Sequence, residues 1–230
     1  MSNPFTGKVA REYDRFFETP FGATVKRLEG ELLLRVLSDF RSGELLEVGC
    51  GTGVWMEFLR ENGFVEPVGL DLSMDMLLQA KKRGLKKLVN GTALHLPFPA
   101  DSFDLTCFIT SLEFISDRKG ALLEAARVSR KGILVAFLNR YSLLNLYRWF
   151  KSLFGSSVYS PSTFITKREL EKLARYVNEV GRKRLKLEKF LTTLNLTLTN
   201  FVKEEWERRL GFNSPFGAFG VALFKVERWS

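Results

Sequence analysis

The sequence predicts an open, doubly wound α/β fold built on a mostly parallel sheet of seven strands, with an antiparallel C-terminal pair. From residue 40 onward, short apolar runs alternate with segments of helical periodicity, which is the pattern of parallel strands joined by crossover helices. Two β-prone runs follow late in the chain, where they would extend the sheet as the antiparallel pair. The 230 residues are 45% hydrophobic, which is enough for one domain with a sizeable core.

The core strands and helices are predicted in strict alternation. The apolar runs that predict strands are Leu45–Val48, Val68–Leu72, Lys87–Asn90, Phe103–Thr110 and Gly132–Asn139. Helical spacing between them covers Val54–Asn62, Ser73–Arg83 and Arg118–Arg130. Ser73 is a favourable N-cap residue, and Gly63 and Gly84 stand where helices commonly end.

The segments that flank this core extend the same domain. Residues 1–40 are predicted to be helical, with Val25–Phe40 strongly amphipathic, and Thr166–Val180 predicts a further helix. The late β-prone runs are Leu185–Leu198 and Ala218–Val226, separated by the helix-like Lys203–Leu210. Because no repeat or linker interrupts the chain, we predict one domain over 1–230, with an N-terminal helical segment at 1–40, a core at 41–140, and further helices with the last two strands at 141–230.

The net charge of +9 belongs to the C-terminal part of the chain. Residues 1–140 carry 19 Lys/Arg against 18 Asp/Glu, whereas residues 141–230 carry 16 against 8. A basic surface of this kind is either solvated or serves an anionic partner such as RNA or a membrane surface. The basic stretch Gly181–Lys189 contains five cations that would suit phosphates or anionic headgroups: Arg182, Lys183, Arg184, Lys186 and Lys189.

Secretion and membrane insertion are not expected. The longest apolar run, Ile133–Leu138, is far shorter than the roughly 20 residues that a spanning helix needs. The only cysteines are Cys50 and Cys107, and so few thiols in a chain of this length favour a reduced protein over a disulfide framework. We therefore expect a cytoplasmic protein.

A glycine-rich turn follows the first predicted strand. Its sequence is Glu47-Val48-Gly49-Cys50-Gly51-Thr52-Gly53, and a helix comes next. Glycines at alternate positions allow a tight turn and let a ligand lie against bare backbone at the helix N-terminus. The spacing fits neither the dinucleotide pattern, since Val54 or Met56 falls where the last glycine belongs, nor a phosphate loop, since no Gly-Lys-Ser/Thr follows. The site is therefore predicted for a nucleotide-like ligand without a pyrophosphate.

Asp71 closes the second predicted strand, about 20 residues beyond the glycine turn. A carboxylate at this spacing can accept hydrogen bonds from both hydroxyls of a ribose. The combination of glycine turn and spaced acid is more specific than either part alone, because both must meet at the carboxyl edge of a parallel sheet.

These segments resemble the class I S-adenosylmethionine-dependent methyltransferases, within the group that includes ubiquinone and menaquinone methyltransferases. The resemblance covers about residues 43–140, and it implies a Rossmann-like fold and methyl transfer. It rests on Leu45–Gly53 as the glycine motif, Gly69–Ser73 with Met76-Leu77 as the ribose segment, Gly91–Phe98 with Ser102-Phe103-Asp104 as the adenine loop and fourth strand, and Glu124, Arg127-Val128 and Lys131-Gly132 before the fifth strand.

The resemblance implies how S-adenosylmethionine is held and that S-adenosylhomocysteine is the product. Gly49, Gly51 and Thr52 would line the methionine moiety, with Glu47 supporting the turn. Asp71 would hold the ribose. We recognise no pattern of metal ligands in the sequence.

Further contacts follow from the same resemblance. Leu72 would pack on the adenine, and Ile109 would offer its backbone carbonyl to the amino group of the cofactor. At the adenine loop the family usually has an acidic or amide residue before Ala, whereas this chain has Thr92-Ala93; Thr92 can accept a hydrogen bond without charge. Tyr13, in a segment that resembles the lid of many relatives, would close over the cofactor or simply pack on the sheet.

Methyl transfer from a sulfonium depends mainly on alignment in a dry pocket, so a dedicated base is optional. Glu113 and Tyr141 follow the fourth and fifth strands at the ligand-binding edge, and both are candidate catalytic residues. His95 is the only histidine and lies in a loop, where a surface role is the commoner one. Cys107 lies inside a predicted strand and is read as a core thiol.

The acceptor is predicted from the aromatic segment Tyr141–Phe154, which would roof a hydrophobic pocket or simply pack in the core. The first hypothesis is a methyltransferase that acts on a small, hydrophobic or aromatic molecule. The alternatives are an RNA or protein methyltransferase that uses the basic C-terminal part, and a protein that binds S-adenosylmethionine without catalysis.

Overall fold

The computed structural model describes residues 5–142, 164–195, 205, 207, 209 and 212–229. The strands of this part are β1 (Leu45–Val48), β2 (Val68–Asp71), β3 (Leu88–Asn90), β4 (Phe103–Ile109), β5 (Ser129–Leu138), β6 (Lys183–Thr193) and β7 (Phe219–Arg228). The helices are α1 (Gly7–Glu12), α2 (Arg15–Glu18), α3 (Pro20–Val36), α4 (Val54–Glu61), α5 (Met74–Lys82), α6 (Arg118–Val128) and α7 (Lys167–Val180), with 3-10 turns at Ser38–Phe40 and Leu112–Phe114.

The predicted fold class is confirmed. The seven strands form one sheet in the order β3-β2-β1-β4-β5-β7-β6. Strands β1 to β5 pair in parallel, whereas β7 pairs antiparallel with both β5 and β6. Strand order reverses between β1 and β4, and ligands of open α/β sheets bind at the carboxyl ends of strands at such a reversal.

Helices cover both faces of the sheet. On one face, α6 and α7 bury apolar side chains such as Leu122 and Val177 together with Phe108 and Val135 of the strands. On the other face, α3 and α4 bury Leu32 and Leu59 with alternate residues of the same strands. The central strands are therefore mostly apolar on both sides, apart from buried polar side chains such as Thr106, which shares a hydrogen bond with Ser129.

The boundaries of two predicted helices are wrong. The helix predicted over 118–130 ends at Val128, because Ser129 already pairs with Phe103 in the sheet, and its hydroxyl donates 2.7 Å to the Ala125 carbonyl. The described residues of the N-terminal segment form three helices, and the one that contains most of the predicted amphipathic Val25–Phe40 begins earlier and ends earlier, at Pro20–Val36. Pro20 begins the third of them, where Thr19 caps it by accepting from Gly22 N at 3.0 Å.

Part of the prediction lies outside the described residues. This holds for most of Tyr141–Phe154, for the end of the run predicted over 185–198, and for most of the helix predicted over 203–210. Among the helices that the structure does describe, none is long and apolar enough to cross a membrane.

The basic stretch at the start of β6 does not form one exposed patch. Lys183 is buried, and its ammonium donates to Asp101 Oδ1 at 2.5 Å, to Ser129 O at 2.6 Å and to Arg127 O at 3.1 Å. The expectation that Lys183 serves phosphates is therefore wrong, because its charge ties β6 to the start of β5. Lys189 lies 3.5 Å from the carboxylate of Asp39.

The exposed cations of β6 have a role of their own in the sheet. Arg184 and Lys186 point outward, and β6 is the last strand at its edge. Charged side chains on an edge strand prevent other chains from adding to its free backbone groups. The sheet thus accounts for part of the C-terminal charge without an anionic partner.

We predict that Lys183→Met lowers the free energy of unfolding by about 2–4 kcal/mol, because the Asp101 carboxylate and two carbonyls lose their buried cation. The measurement is urea-induced unfolding. The matched control is Lys186→Met on the same strand, which exchanges an exposed cation and is expected to change stability by about 0.5 kcal/mol or less. Equal effects of the two variants would contradict the role assigned to Lys183.

Candidate active site

The turn between β1 and α4 can be built only from glycine at its key positions. Gly49, Gly51 and Gly53 have φ of 74°, 55° and 77°, which side chains rarely tolerate. A Cβ on Gly49 would lie 2.6 Å from the Cβ of Ser111. A Cβ on Gly51 would meet no atom of the described chain within 4 Å. The backbone of Gly51 therefore borders open space, which is the space a ligand needs.

Asp71 holds this turn from the end of β2. Its Oδ2 accepts from Gly51 N and its Oδ1 accepts from Ser73 N, both at 2.8 Å. Burial raises the pKa of Asp71 above its ordinary value, although these hydrogen bonds favour the charged form and oppose the shift. The carboxylate is half-buried, so each oxygen keeps a second lone pair for a further donor.

Glu47 lies beneath the turn and is buried. Burial, and next the charge of Asp71, raise the pKa of Glu47 well above its ordinary value. Its Oε2 has no hydrogen-bond partner within the described part of the chain. A buried oxygen of this kind is satisfied at little cost by a polar group that enters the site.

The ends of β2 and β3 are joined by side-chain and backbone bonds. Asn90 Nδ2 donates to the carbonyls of Asp71 and Leu72, at 3.0 and 3.1 Å, and Gly91 N donates to Asp71 O at 3.1 Å. Leu72 is 64% exposed, so an apolar side chain faces outward beside Asp71.

The loop after β3 contains Thr92 and Ala93. Thr92 Oγ1 accepts from Leu94 N at 3.3 Å, and Ala93 packs against the core. His95, the only histidine, is exposed in the same loop.

The end of β4 comes next to the glycine turn. Ile109 is buried, and Thr110 has a positive φ of 48°. This turn directs Ser111 back across the sheet, where its hydroxyl donates to Val48 O at 2.6 Å. The sequence analysis missed Ser111, since its link to β1 spans 63 residues and no local pattern marks it.

Glu113 lies in the 3-10 turn that follows β4. It is 5% exposed, and its Oε1 accepts from Leu138 N at 2.8 Å. Burial raises its pKa to about 7 against the lowering effects of that amide and of Arg118. Its Oε2 has no hydrogen-bond partner in the described residues. Glu113 thus joins the ends of β4 and β5 and can hold or release a proton near neutral pH.

Tyr141 follows β5 and is 62% exposed. Its backbone amide donates to Asn139 Oδ1 at 3.3 Å, which ties it to the strand end. No described contact joins Tyr141 to Asp71 or to the glycine turn, so the structure places the two catalytic candidates on the β4–β5 side of the edge.

The N-terminal helices lie across the β1–β2 side. Ser73 Oγ donates to Phe5 O at 2.6 Å, and Gly7 N donates to Asp75 Oδ2 at 2.7 Å. The ring of Phe5 makes edge contacts with the ring of Tyr13, at 6.1 Å between centroids, and with Phe114, at 4.9 Å. A cluster of aromatic rings therefore extends from the N-terminal segment to the 3-10 turn after β4.

Together these contacts gather the ends of β1 to β5 around one open edge. The arrangement offers bare backbone at Gly51, a carboxylate with free lone pairs at Asp71, an exposed apolar side chain at Leu72 and aromatic rings from two elements. It can bind a nucleoside with a polar tail and shield it on one side from water.

The known proteins that are similar to this chain include several methyltransferases. Residues 46–137 match the family model described as "Methyltransferase domain". An uncharacterised protein of Methanocaldococcus jannaschii is 31% identical over 182 residues, which cover 78% of this chain and 81% of the relative. The chain is also 32% identical to the malonyl-[acyl-carrier protein] O-methyltransferase of Hamiltonella defensa and 35% identical to the demethylmenaquinone methyltransferase of a Roseiflexus species. These alignments cover 50% and 47% of this chain and 45% and 49% of the relatives, so the chain matches about half the length of each.

A solved structure extends the likeness to nearly the full chain. The structure of an S-adenosylmethionine-dependent methyltransferase of Thermotoga maritima, described as a possible histamine N-methyltransferase, matches with a TM-score of 0.69 at 25% identity. The match covers 95% of this chain and 96% of that one.

The raised pKa of Glu113 predicts a specific pH dependence. The folded protein keeps the Glu113 proton up to about pH 7, whereas the unfolded chain releases it near the ordinary value. Unfolding thus releases a proton between these values, and stability falls as pH rises through them. In urea-induced unfolding between about pH 5 and about pH 8, we expect the wild type to lose about 2.5 kcal/mol relative to Glu113→Gln. Glu47 also has a raised pKa, but it is present in both proteins and its contribution cancels in the comparison. Parallel pH profiles would therefore contradict a raised pKa for Glu113.

Proposed function

The chain belongs to the class I S-adenosylmethionine-dependent methyltransferases, and we propose that it transfers the methyl group to a small, hydrophobic or aromatic acceptor. One observation supports the proposed cofactor site most directly. Asp71 accepts the amide of Gly51 at 2.8 Å, so the acid that would take a ribose and the bare backbone that would border the methionine moiety belong to one unit.

The residues fit the cofactor at the polar end. A Cβ built on Gly51 would meet no described atom within 4 Å, so space for the methionine moiety is open beside this backbone. Gly49 packs against Ser111 and Thr52 is buried, so these two residues would shape the turn around that moiety. Glu47 Oε2, beneath the turn, has no hydrogen-bond partner among the described residues, so it could accept a hydrogen bond from a donor group of the ligand. Asp71 would accept from the ribose hydroxyls with the lone pairs that its two amide bonds leave free.

The residues also fit at the adenine end. Leu72 presents an exposed apolar surface for the base, with Thr92 and Ala93 in the loop beyond it. Ile109 is buried by its side chain, so only its backbone would serve the cofactor, as proposed for its carbonyl. Tyr13, in the lid, would cover the cofactor from the other side.

S-adenosylmethionine supplies, when bound, a methyl group on a sulfonium whose departure leaves a neutral thioether. The chain's own contribution is to orient and to exclude water. Alignment of two reactants can supply roughly 7–11 kcal/mol of the barrier, and the glycine turn, Asp71 and the lid together provide the fixed frame for it.

The acceptor side supports an apolar or aromatic molecule. Phe114 is 39% exposed and Tyr13 is 38% exposed, and Phe5 packs edge-on against both rings. Partly exposed aromatic rings beside a polar cofactor site are typical of pockets for flat, apolar ligands. The relatives are named for acceptors as different as malonyl-[acyl-carrier protein] and demethylmenaquinone, so the family alone does not identify the acceptor of this chain.

For an acceptor that must lose a proton, we propose Glu113 as the general base and Tyr141 as a second contact at the same side. A pKa of about 7 suits a base that works near neutral pH. The Oε2 atom has its lone pairs free within the described chain, while Oε1 is held by Leu138 N.

An RNA or protein acceptor has less support. Lys183 is buried and Lys189 lies beside Asp39, so two of the five cations of the basic stretch are used within the fold. A small-molecule acceptor needs none of them.

We predict that Asp71→Asn weakens S-adenosylhomocysteine binding about 10- to 100-fold, because hydrogen bonds to a charged group contribute about 1.5–3 kcal/mol. Isothermal titration calorimetry measures the effect. The control is Asp39→Asn, an exposed acid on the amino side of β1, which is expected to bind like the wild type. A wild-type protein that binds neither S-adenosylmethionine nor S-adenosylhomocysteine would overturn the assigned site.

The acceptor class is tested with S-adenosylmethionine that carries a labelled methyl group and a cell extract as the acceptor source. We expect the label in the fraction that partitions into organic solvent, because an apolar acceptor gives an apolar product. Label that precipitates with RNA or protein would favour the alternative acceptors. Cofactor binding without label in any fraction would favour a binding protein that does not catalyse transfer.

A further inference from the structure

Arg83 lies at the end of α5 and joins two acidic residues from different parts of the chain. Its Nη2 is 2.5 Å from Asp14 Oδ2 in the lid, and its Nη1 is 2.5 Å from Glu57 Oε2 in α4. The three side chains are 24%, 25% and 20% exposed. Each carboxylate is thus largely removed from water and is compensated by the same guanidinium.

Asp14 passes this restraint on to the glycine turn. Its second oxygen, Oδ1, accepts from Thr52 Oγ1 at 2.6 Å. The Asp14 carboxylate is therefore fixed at both oxygens, by Arg83 on one side and by the threonine between Gly51 and Gly53 on the other. The Thr52 hydroxyl is in turn held in one orientation.

We infer that Arg83 is a positioning residue for cofactor binding, which acts through Asp14 to fix Thr52 and the lid over the glycine turn. This inference rests on the proposed function, since it assumes that the cofactor lies along this turn. Arg83 itself borders neither Gly51 nor Asp71 in the described contacts, and it would act without touching the ligand.

The chemistry of the cluster requires a guanidinium. Two carboxylates that share one cation repel each other when the cation is removed, and the lid residue is the one that can move away. The two Nη atoms of arginine reach both acids at once, whereas lysine offers a single ammonium. Arg83→Lys is therefore expected to preserve the charge but to hold Asp14 and Glu57 less well.

The test compares the dissociation constant of S-adenosylhomocysteine in the full chain and in Arg83→Met. We expect Arg83→Met to raise the constant about tenfold or more, with Arg83→Lys in between. The matched control is Arg130→Met. Arg130 also bridges two acids, Glu44 at 2.6 Å and Asp104 at 3.2 Å, but at the amino ends of β1, β4 and β5, opposite the glycine turn.

A double-mutant cycle separates positioning from general stabilisation. If Arg83 acts through Asp14, then Arg83→Met changes the dissociation constant much less in an Asp14→Asn background than in the wild type. Additive effects would overturn the inference. So would a dissociation constant for Arg83→Met equal to that of Arg130→Met at temperatures where both are folded by circular dichroism. If Arg83→Met does not fold, the same cycle is measured with Arg83→Lys and Asp14→Asn. A smaller effect of Arg83→Lys on the dissociation constant in the Asp14→Asn background supports the inference, and additive effects overturn it. Absence of binding by the wild type would instead overturn the proposed function.

Discussion

The carboxylate of Asp71 is the contact on which the site depends. It accepts one hydrogen bond from an amide of the glycine turn, which leads into α4, and one from the amide of Ser73 at the start of α5. One side chain therefore connects the starts of α4 and α5 to the end of β2. Few groups could replace it, because a neutral amide side chain offers one acceptor where the turn and the helix demand two. Burial opposes its charge and raises its pKa, and the two amide donors offset only part of that cost. A ribose that binds there would add to an ion already fixed in place.

The sheet was predictable because its signals are local. Each core strand is an apolar run bounded by turn residues, and the helices between them carry their own caps; Ser73, for example, accepts from Met76 N as a helix cap should. The approach of Gly51 to Asp71 also followed, since strand ends of a parallel sheet meet at one edge. The predicted end of α6 was wrong because the sheet competed with local helical preference. Ser129 continues the helical pattern, yet its hydroxyl shares a hydrogen bond with Thr106 in β4 and donates to the Ala125 carbonyl in α6.

What sequence reasoning missed depends on pairs that lie far apart along the chain. Lys183 looked like one of five surface cations, and only the fold shows that it contacts Asp101 and the carbonyls of Arg127 and Ser129. Asp14 lies 38 residues from Thr52 and 69 residues from Arg83 along the chain, and no spacing rule connects them. Ionisable side chains carry little information about their partners, whereas apolar periodicity carries much about a face.

The strand order has a consequence for how the chain folds. β7 lies between β5 and β6 and pairs with both, so β6 leaves the ribosome before the strand that it pairs with exists. Arg184 and Lys186 keep its outer face charged, and on its inner face Leu185 packs with Leu170 and Val177 of α7, which precedes it in the chain. The backbone groups of β6 that face β7 stay unpaired until β7 inserts. The pairing of β5 with β7 joins segments far apart along the chain, and we expect such pairing to be slow because distant segments must meet before their contacts stabilise the fold. Among themselves the first five strands pair only in parallel, so the glycine turn and Asp71 belong to the part of the sheet whose internal pairings need no residue of β7.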